Sequence, residues 1–159
     1  MIYLKAIGFS FVLMVLFGSC KHQVVISAEI FDPHCGGAPP SLVRSNRPLS
    51  SQIIIVSEKD SLVVAFSDAG EAKIRLARGS YQWYQFSKSL TVEQTYAVVM
   101  EADRTLFEFT GIPCIEQWKK TVDGVFSVDS DVDTLKLVLR SNCYSRLVPC
   151  LKYTGPNYE

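Results

Sequence analysis

The sequence predicts a mainly β domain, an antiparallel β-sandwich of about seven strands with one or two short helices, and three observations predict it. Apolar residues recur at every second position through most of the chain after residue 23. Clusters of Gly, Asp and Ser mostly separate the alternating runs, as turns do. The chain has 159 residues, 48% of them apolar and 20% charged, the balance of one globular domain with a real core.

Each element follows from its own pattern. Val24, Ile26, Ala28 and Ile30 point one way along a first strand. Gln52 to Val56 is a continuous β-branched run, which suits a strand buried on both faces. Leu62, Val64 and Phe66 alternate with Val63 and Ala65. Ala72, Ile74 and Leu76 alternate with Lys73 and Arg75, a half-buried pattern. Tyr81 to Phe86 is aromatic and strand-like. Phe126 and Val128 mark another strand, and Leu135, Leu137 and Leu139 the last.

Two stretches change period. Thr91 and Gln94 form a capping-box pattern, after which Val92, Tyr96, Val99 and Met100 share one face of a helix over 92–102. Pro113 suits a first helical turn, and Ile115 and Trp118 lie three apart in a short helix reaching Thr121. Asp32 to Ser51 carries Gly36-Gly37, Pro39-Pro40 and Pro48 and reads as a long ordered loop pinned by Cys35.

The N-terminus has a separate logic. One Lys and the α-amine precede an apolar run from Ala6 to Phe17, too short for a permanent membrane span of about 20 residues. Leu16-Phe17-Gly18-Ser19-Cys20 resembles a bacterial lipoprotein signal. The resemblance implies a leader over 1–19, lipid on Cys20, a tether over 20–23 and one domain over 24–159. Phe17 stands where Leu is commoner, so cleavage without lipid is the alternative. A buried N-terminal helix with an incidental Cys is a third reading.

Export also explains the five Cys. With Cys20 taken by lipid, Cys35, Cys114, Cys143 and Cys150 remain for two disulfides in an oxidising compartment. Sequence does not choose among the three pairings available; the two that tie the Cys35 loop and the Cys114 segment to the C-terminal tail are preferred. Zinc is the rival use, but no Cys-x-x-Cys pair is present and His34 adjoins Cys35 too closely to share an ion with it.

Formal net charge is zero, so nothing attracts nucleic acid or an acidic membrane surface. Nucleophilic catalysis finds few participants. The two His are His22 and His34, and no Gly-x-Ser-x-Gly elbow occurs. Asp129, Asp131 and Asp133 alternate as in a calcium loop, but Thr134 and Arg140 occupy the positions where that loop needs Gly and Glu. The run reads as a solvated turn.

Asp68-Ala69-Gly70-Glu71, then Ala72-Lys73-Ile74-Arg75-Leu76, then Ala77-Arg78-Gly79-Ser80-Tyr81 resembles a run found in transthyretin-like β-sandwiches, including carboxypeptidase regulatory-like and Cna B-type modules. It implies a hairpin closed at Asp-x-Gly, an alternating strand, a turn at Arg78-Gly79 and a Tyr81 ring in the core. Ala72 replaces the usual Phe. Some Cna B-type modules carry a Lys–Asn crosslink; Asn142 ends the last strand, but the first strand has no Lys. The wider layout is similar to small exported bacterial lipoproteins of no established activity: Cys35-Gly36-Gly37-Ala38, Arg47-Pro48-Leu49, Cys114 followed by Trp118, and Pro149-Cys150 followed by Tyr153.

Trp83, Tyr84, Phe86 and Trp118 form the candidate binding patch. Tyr84 and Phe86 share a strand face that either presents rings to an envelope protein or glycan, or lies under the 92–102 helix. The resulting expectation is a non-catalytic, lipid-anchored module of the bacterial cell envelope, periplasmic or surface-facing, with no cofactor. The alternative is a periplasmic enzyme or metal-handling protein built on His34 and nearby carboxylates.

Overall fold

Alternation places Val24, Ile26, Ala28 and Ile30 on one face of strand β1 (His22–Phe31), and all four are buried. The computed structural model describes residues 21–33, 46–129 and 134–156. Cys20, His34, Cys35, the leader assigned to 1–19 and Asp131 and Asp133 of the acidic run lie outside the described residues.

In the first sheet β1 is central. β2 (Asn46–Pro48) and, further along the chain, β5 (Glu71–Leu76) lie end to end on one of its edges, both antiparallel to it. β9 (Thr134–Arg140) pairs with the other edge from Val25 to Phe31, and does so in parallel. The second sheet has the order β4-β3-β6-β8 and is antiparallel throughout, with β3 at Gln52–Val56, β4 at Ser61–Ala65, β6 at Gly79–Gln85 and β8 at Gly124–Val128. A small ribbon joins β7 (Phe107–Phe109) to β10 (Leu151–Tyr153). Helix α1 spans Val92–Met100 and α2 spans Ile112–Lys120.

The two larger sheets share one core. β1, Leu76, Leu137 and Leu139 face Ile53, Ile55, Val64, Tyr81, Trp83 and Val128 in a single cluster of buried side chains. Fully burying an aliphatic side chain such as Ile26 or Ile53 stabilises by about 1.5–3 kcal/mol, so this stripe dominates folding. The seven longer strands are those the periodicity predicts. The three added ones, β2, β7 and β10, have three residues each, too short for alternation to show.

Several expectations need correction. Part of the predicted 32–51 loop is strand β2. Ile54 and Val56 are only half-buried, because the outer face of the second sheet has no layer over their positions that buries them fully. Asp68-Ala69-Gly70 does not close a hairpin: β4 and β5 belong to different sheets, and the turn carries the chain across the sandwich. Gly70 still requires its glycine, with φ 74° and its N–H donating to Ser67 O at 2.8 Å. β9 follows a strand of the opposite sheet, and a chain that crosses between layers is free to enter parallel to β1.

Helix α1 keeps its predicted cap, and Pro113 lies in the first turn of α2. Thr91 Oγ1 accepts from Gln94 N–H, and the Gln94 side chain accepts from Thr91 N–H, a complete capping box. The buried line of α1 is Thr95 and Val99, whereas Tyr96 and Met100 are exposed. In α2, Ile115 is fully buried and Trp118 half-buried, three apart as expected.

Candidate functional site

The four aromatic residues of the predicted patch separate into two environments. Trp83 is 3% exposed and belongs to the core, so it takes no part in a surface patch. Its side chain packs on Gly124, where an added Cβ would come within 2.5 Å of the indole Nε1. Tyr81, on the same strand face, is buried too; its hydroxyl donates to Ala77 O at 2.8 Å. The other three remain near the surface: Tyr84 and Trp118 are half-buried, and Phe86 is exposed at the start of a short 3-10 helix, Phe86–Ser89.

Lys88, on that 3-10 helix, organises this surface. It is buried, and its ammonium lies 2.8 Å from Asp123 Oδ1 while donating to Thr121 O at 2.6 Å. Asp123 also accepts from Gln85 N–H at 2.6 Å and from Gln85 Nε2 at 3.2 Å. The same ammonium lies over the Trp118 ring at 5.2 Å and the Tyr84 ring at 6.0 Å. A buried ammonium is tolerated only when paired and hydrogen-bonded, and here both conditions are met. Lys119 Nζ adds bonds to Lys88 O and Leu90 O, fastening α2 to the segment before α1.

Trp118 is shared between this network and a cavity of about 590 Å³. The cavity occupies the end of the sandwich where β3 begins and β6 and β9 finish. Leu49, Ile53 and Leu139 form its floor on the sandwich side, and Val98 and Trp118 contribute walls from α1 and α2. Leu147, Val148 and Pro149 close another side. Among the described residues that line it there is no ionisable side chain; its polar members are Ser, Thr and Gln. Thr95 is 3% exposed, and its hydroxyl already donates to Thr91 O at 2.9 Å.

The wall is covalently held. Cys114 in the first turn of α2 is bonded to Cys150, directly after Pro149. Cys150 O accepts from Thr110 N–H and Thr110 Oγ1 at 3.0 and 3.1 Å, continuing the β7–β10 ribbon. Of the expected pairings, one that joins the Cys114 segment to the tail is therefore present. Cys143 is disulfide-bonded as well, to a partner outside the described residues.

The carboxylate nearest His34 in sequence is occupied. Asp32 accepts from Ser141 Oγ at 2.6 Å and from Arg47 Nε at 3.0 Å. The Ser141 bond, then Arg47 and the more distant Arg146, hold its carboxyl below the ordinary carboxylate range despite some burial. Ser141 N–H donates to Phe31 O at 3.0 Å, so the group latches the ends of β1 and β9 together. Among the described residues, no three His, Cys, Asp or Glu side chains converge as metal ligands would.

Sequence reasoning missed both the Lys88–Asp123 pair and the cavity. The pair joins residues 35 apart in the chain. The cavity collects residues from segments between Leu49 and Pro149 that are far apart in the chain, and no local pattern links them.

Fold and site together define a disulfide-braced β-sandwich with an apolar cavity at one end. No protein-family model matches the chain, and no curated protein matches it. Among solved structures, a DUF3823 family protein from Bacteroides ovatus ATCC 8483 is similar, with a TM-score of 0.34 and 9% identity. The match covers 74% of this chain and 44% of that one, so this chain spans less than half of that protein's length.

Proposed function

We propose that this protein is a lipid-anchored module of the bacterial cell envelope that binds a ligand and performs no chemistry on it. The cavity carries the binding reading: its volume of about 590 Å³ lies within the range of ligand sites, roughly 300–1,000 Å³, and among the described residues its lining holds neither an acid–base pair nor a cation. The address is read from Leu16-Phe17-Gly18-Ser19-Cys20 and is supported by the disulfide chemistry of Cys114, Cys143 and Cys150, which suits an oxidising compartment. The finer architecture we assign is transthyretin-like, of the carboxypeptidase regulatory-like kind. In its favour stand the alternating β5 and the Tyr81 ring in the core.

The address is tested by Cys20→Ala in the full-length chain. The substitution is expected to abolish labelling by a fatty-acid probe and to move the protein out of the membrane fraction. Membrane association that persists without label would remove the lipid anchor from the reading.

A further inference from the structure

The space beside Trp118 is a cleft half open to solvent rather than a sealed interior void. The cavity beside Trp118 has room for roughly twenty waters at about 30 Å³ each, judged from its 590 Å³. A water in a protein needs two to four polar partners. This lining offers few: Gln85 already bonds Asp123, and the Thr95 hydroxyl is spent on Thr91 O. Water against the apolar wall therefore bonds the protein at few points, and an apolar group that displaces it gains affinity.

The charges around the cavity are turned away from it. Lys88 and Asp123 neutralise each other behind Trp118, and Lys119 is committed to main-chain oxygens. An ionised ligand group entering the cavity would therefore lose part of its water and find no counter-charge among the described lining residues. A hydroxyl or amide could still bond the Ser and Gln side chains of the lining.

From these observations we infer that the cavity takes an uncharged hydrophobic small molecule, a hydrocarbon chain or ring system with at most a neutral polar head. The inference rests on the binding reading above and names its ligand class. Position adds a direction. Leu139 pairs with Ile30, near the last residue of β1, whereas the tether joins the first, His22. Eight residues of strand, about 26 Å at 3.3 Å each, separate Ile30 from His22. The cavity thus lies at the far end of β1 from the residue to which the tether would attach.

The test uses the full-length protein, expressed with its own leader and kept in its native membranes. It is photolabelled with a long-chain alcohol bearing a diazirine, and in parallel with the carboxylate of the same chain. Label is expected in peptides containing Leu49–Ile53, Phe86–Val98 and Leu147–Pro149, with the alcohol exceeding the carboxylate by at least about tenfold. Val98→Trp, at a side chain 42% exposed on the cavity wall, should fill the space and cut labelling by a similar factor. Ser87→Phe serves as a second filling should the first unfold the protein. Label outside these peptides, equal label from both probes, or label unchanged in a folded filling variant overturns the inference. Labelling in Cys20→Ala separates the two readings: a labelled cavity in a released protein retains the ligand and removes the anchor, and the converse result does the opposite.

Discussion

The backbone N–H of Ala28 donates to Gly70 O at 2.8 Å, at the one point on the β1 edge where β5 has ended and β2 has not begun. Leu49 N–H donates to Ala28 O at 2.9 Å beside it. The inter-sheet turn thereby closes a gap in the ladder, and a Cβ added to Gly70 would meet Ala28 O at 2.6 Å. Gly70→Ala combines positive φ with that clash, each of which a native backbone rarely accepts. A loss of at least about 2 kcal/mol is expected, read as a lowered denaturation midpoint. An unchanged midpoint would show that the turn is free to move away from β1.

Lys88 and Asp123 should behave as one unit. Their side chains are 4% and 11% exposed, so removing either leaves the other charged and buried. Lys88→Met and Asp123→Leu are each expected to cost about 3–5 kcal/mol, while the double variant costs much less than their sum. A double-mutant cycle by chemical denaturation measures the coupling; additive losses would mean the pair is solvated.

Reduction of Cys114–Cys150 releases a 36-residue separation. In the chain-entropy account this costs up to about 4 kcal/mol. Cys114→Ser together with Cys150→Ser should lower stability by an amount of that order and weaken ligand capture, since Pro149 and Trp118 both line the cavity. Non-reducing peptide mass mapping should recover the Cys114–Cys150 pair and, for the bonded Cys143, a link to the peptide containing Cys35.

Acid should unlatch the β1–β9 end. The folded-state pKa of Asp32 is depressed, chiefly by Ser141. The unfolded chain thus binds the proton more readily, and stability rises with pH across this window. The contribution is fully present above the ordinary carboxylate value, near about pH 4, and is lost as pH falls through the lower folded value. Asp32→Asn should flatten the acid limb of a stability-against-pH curve and leave its neutral slope unchanged. A wild-type limb in that variant would assign the acid sensitivity elsewhere.

The capping box gives a smaller, local prediction. Thr91→Ala removes the acceptor for Gln94 N–H and should lower stability by about 1 kcal/mol, seen in thermal unfolding. No change would indicate that tertiary contacts alone hold the start of α1.

Much of the fold was legible in short-range pattern. Val24, Ile26, Ala28 and Ile30 alternate because one face of β1 is core and the other is not. Thr91 and Gln94 announce α1 because a capping box is a contact between residues three apart. The tyrosine at 81 points inward as its parity with Trp83 requires. Parity also placed Tyr84 and Phe86 opposite to Trp83, but could not say which face was solvent.

What the sequence determined by itself was therefore the seven longer strands, the positions of the two helices and the alternation of side chains along each strand. Those depend on residues adjacent in the chain. Only the tertiary structure decided that β9 lies parallel to β1, that the Asp68–Gly70 turn crosses between sheets, that Cys114 meets Cys150, and that Lys88 pairs with Asp123 beside the Trp118 wall of the cavity. Each of these is a meeting of residues distant in sequence. Such meetings are settled by how whole layers pack and exclude water, which no local period encodes.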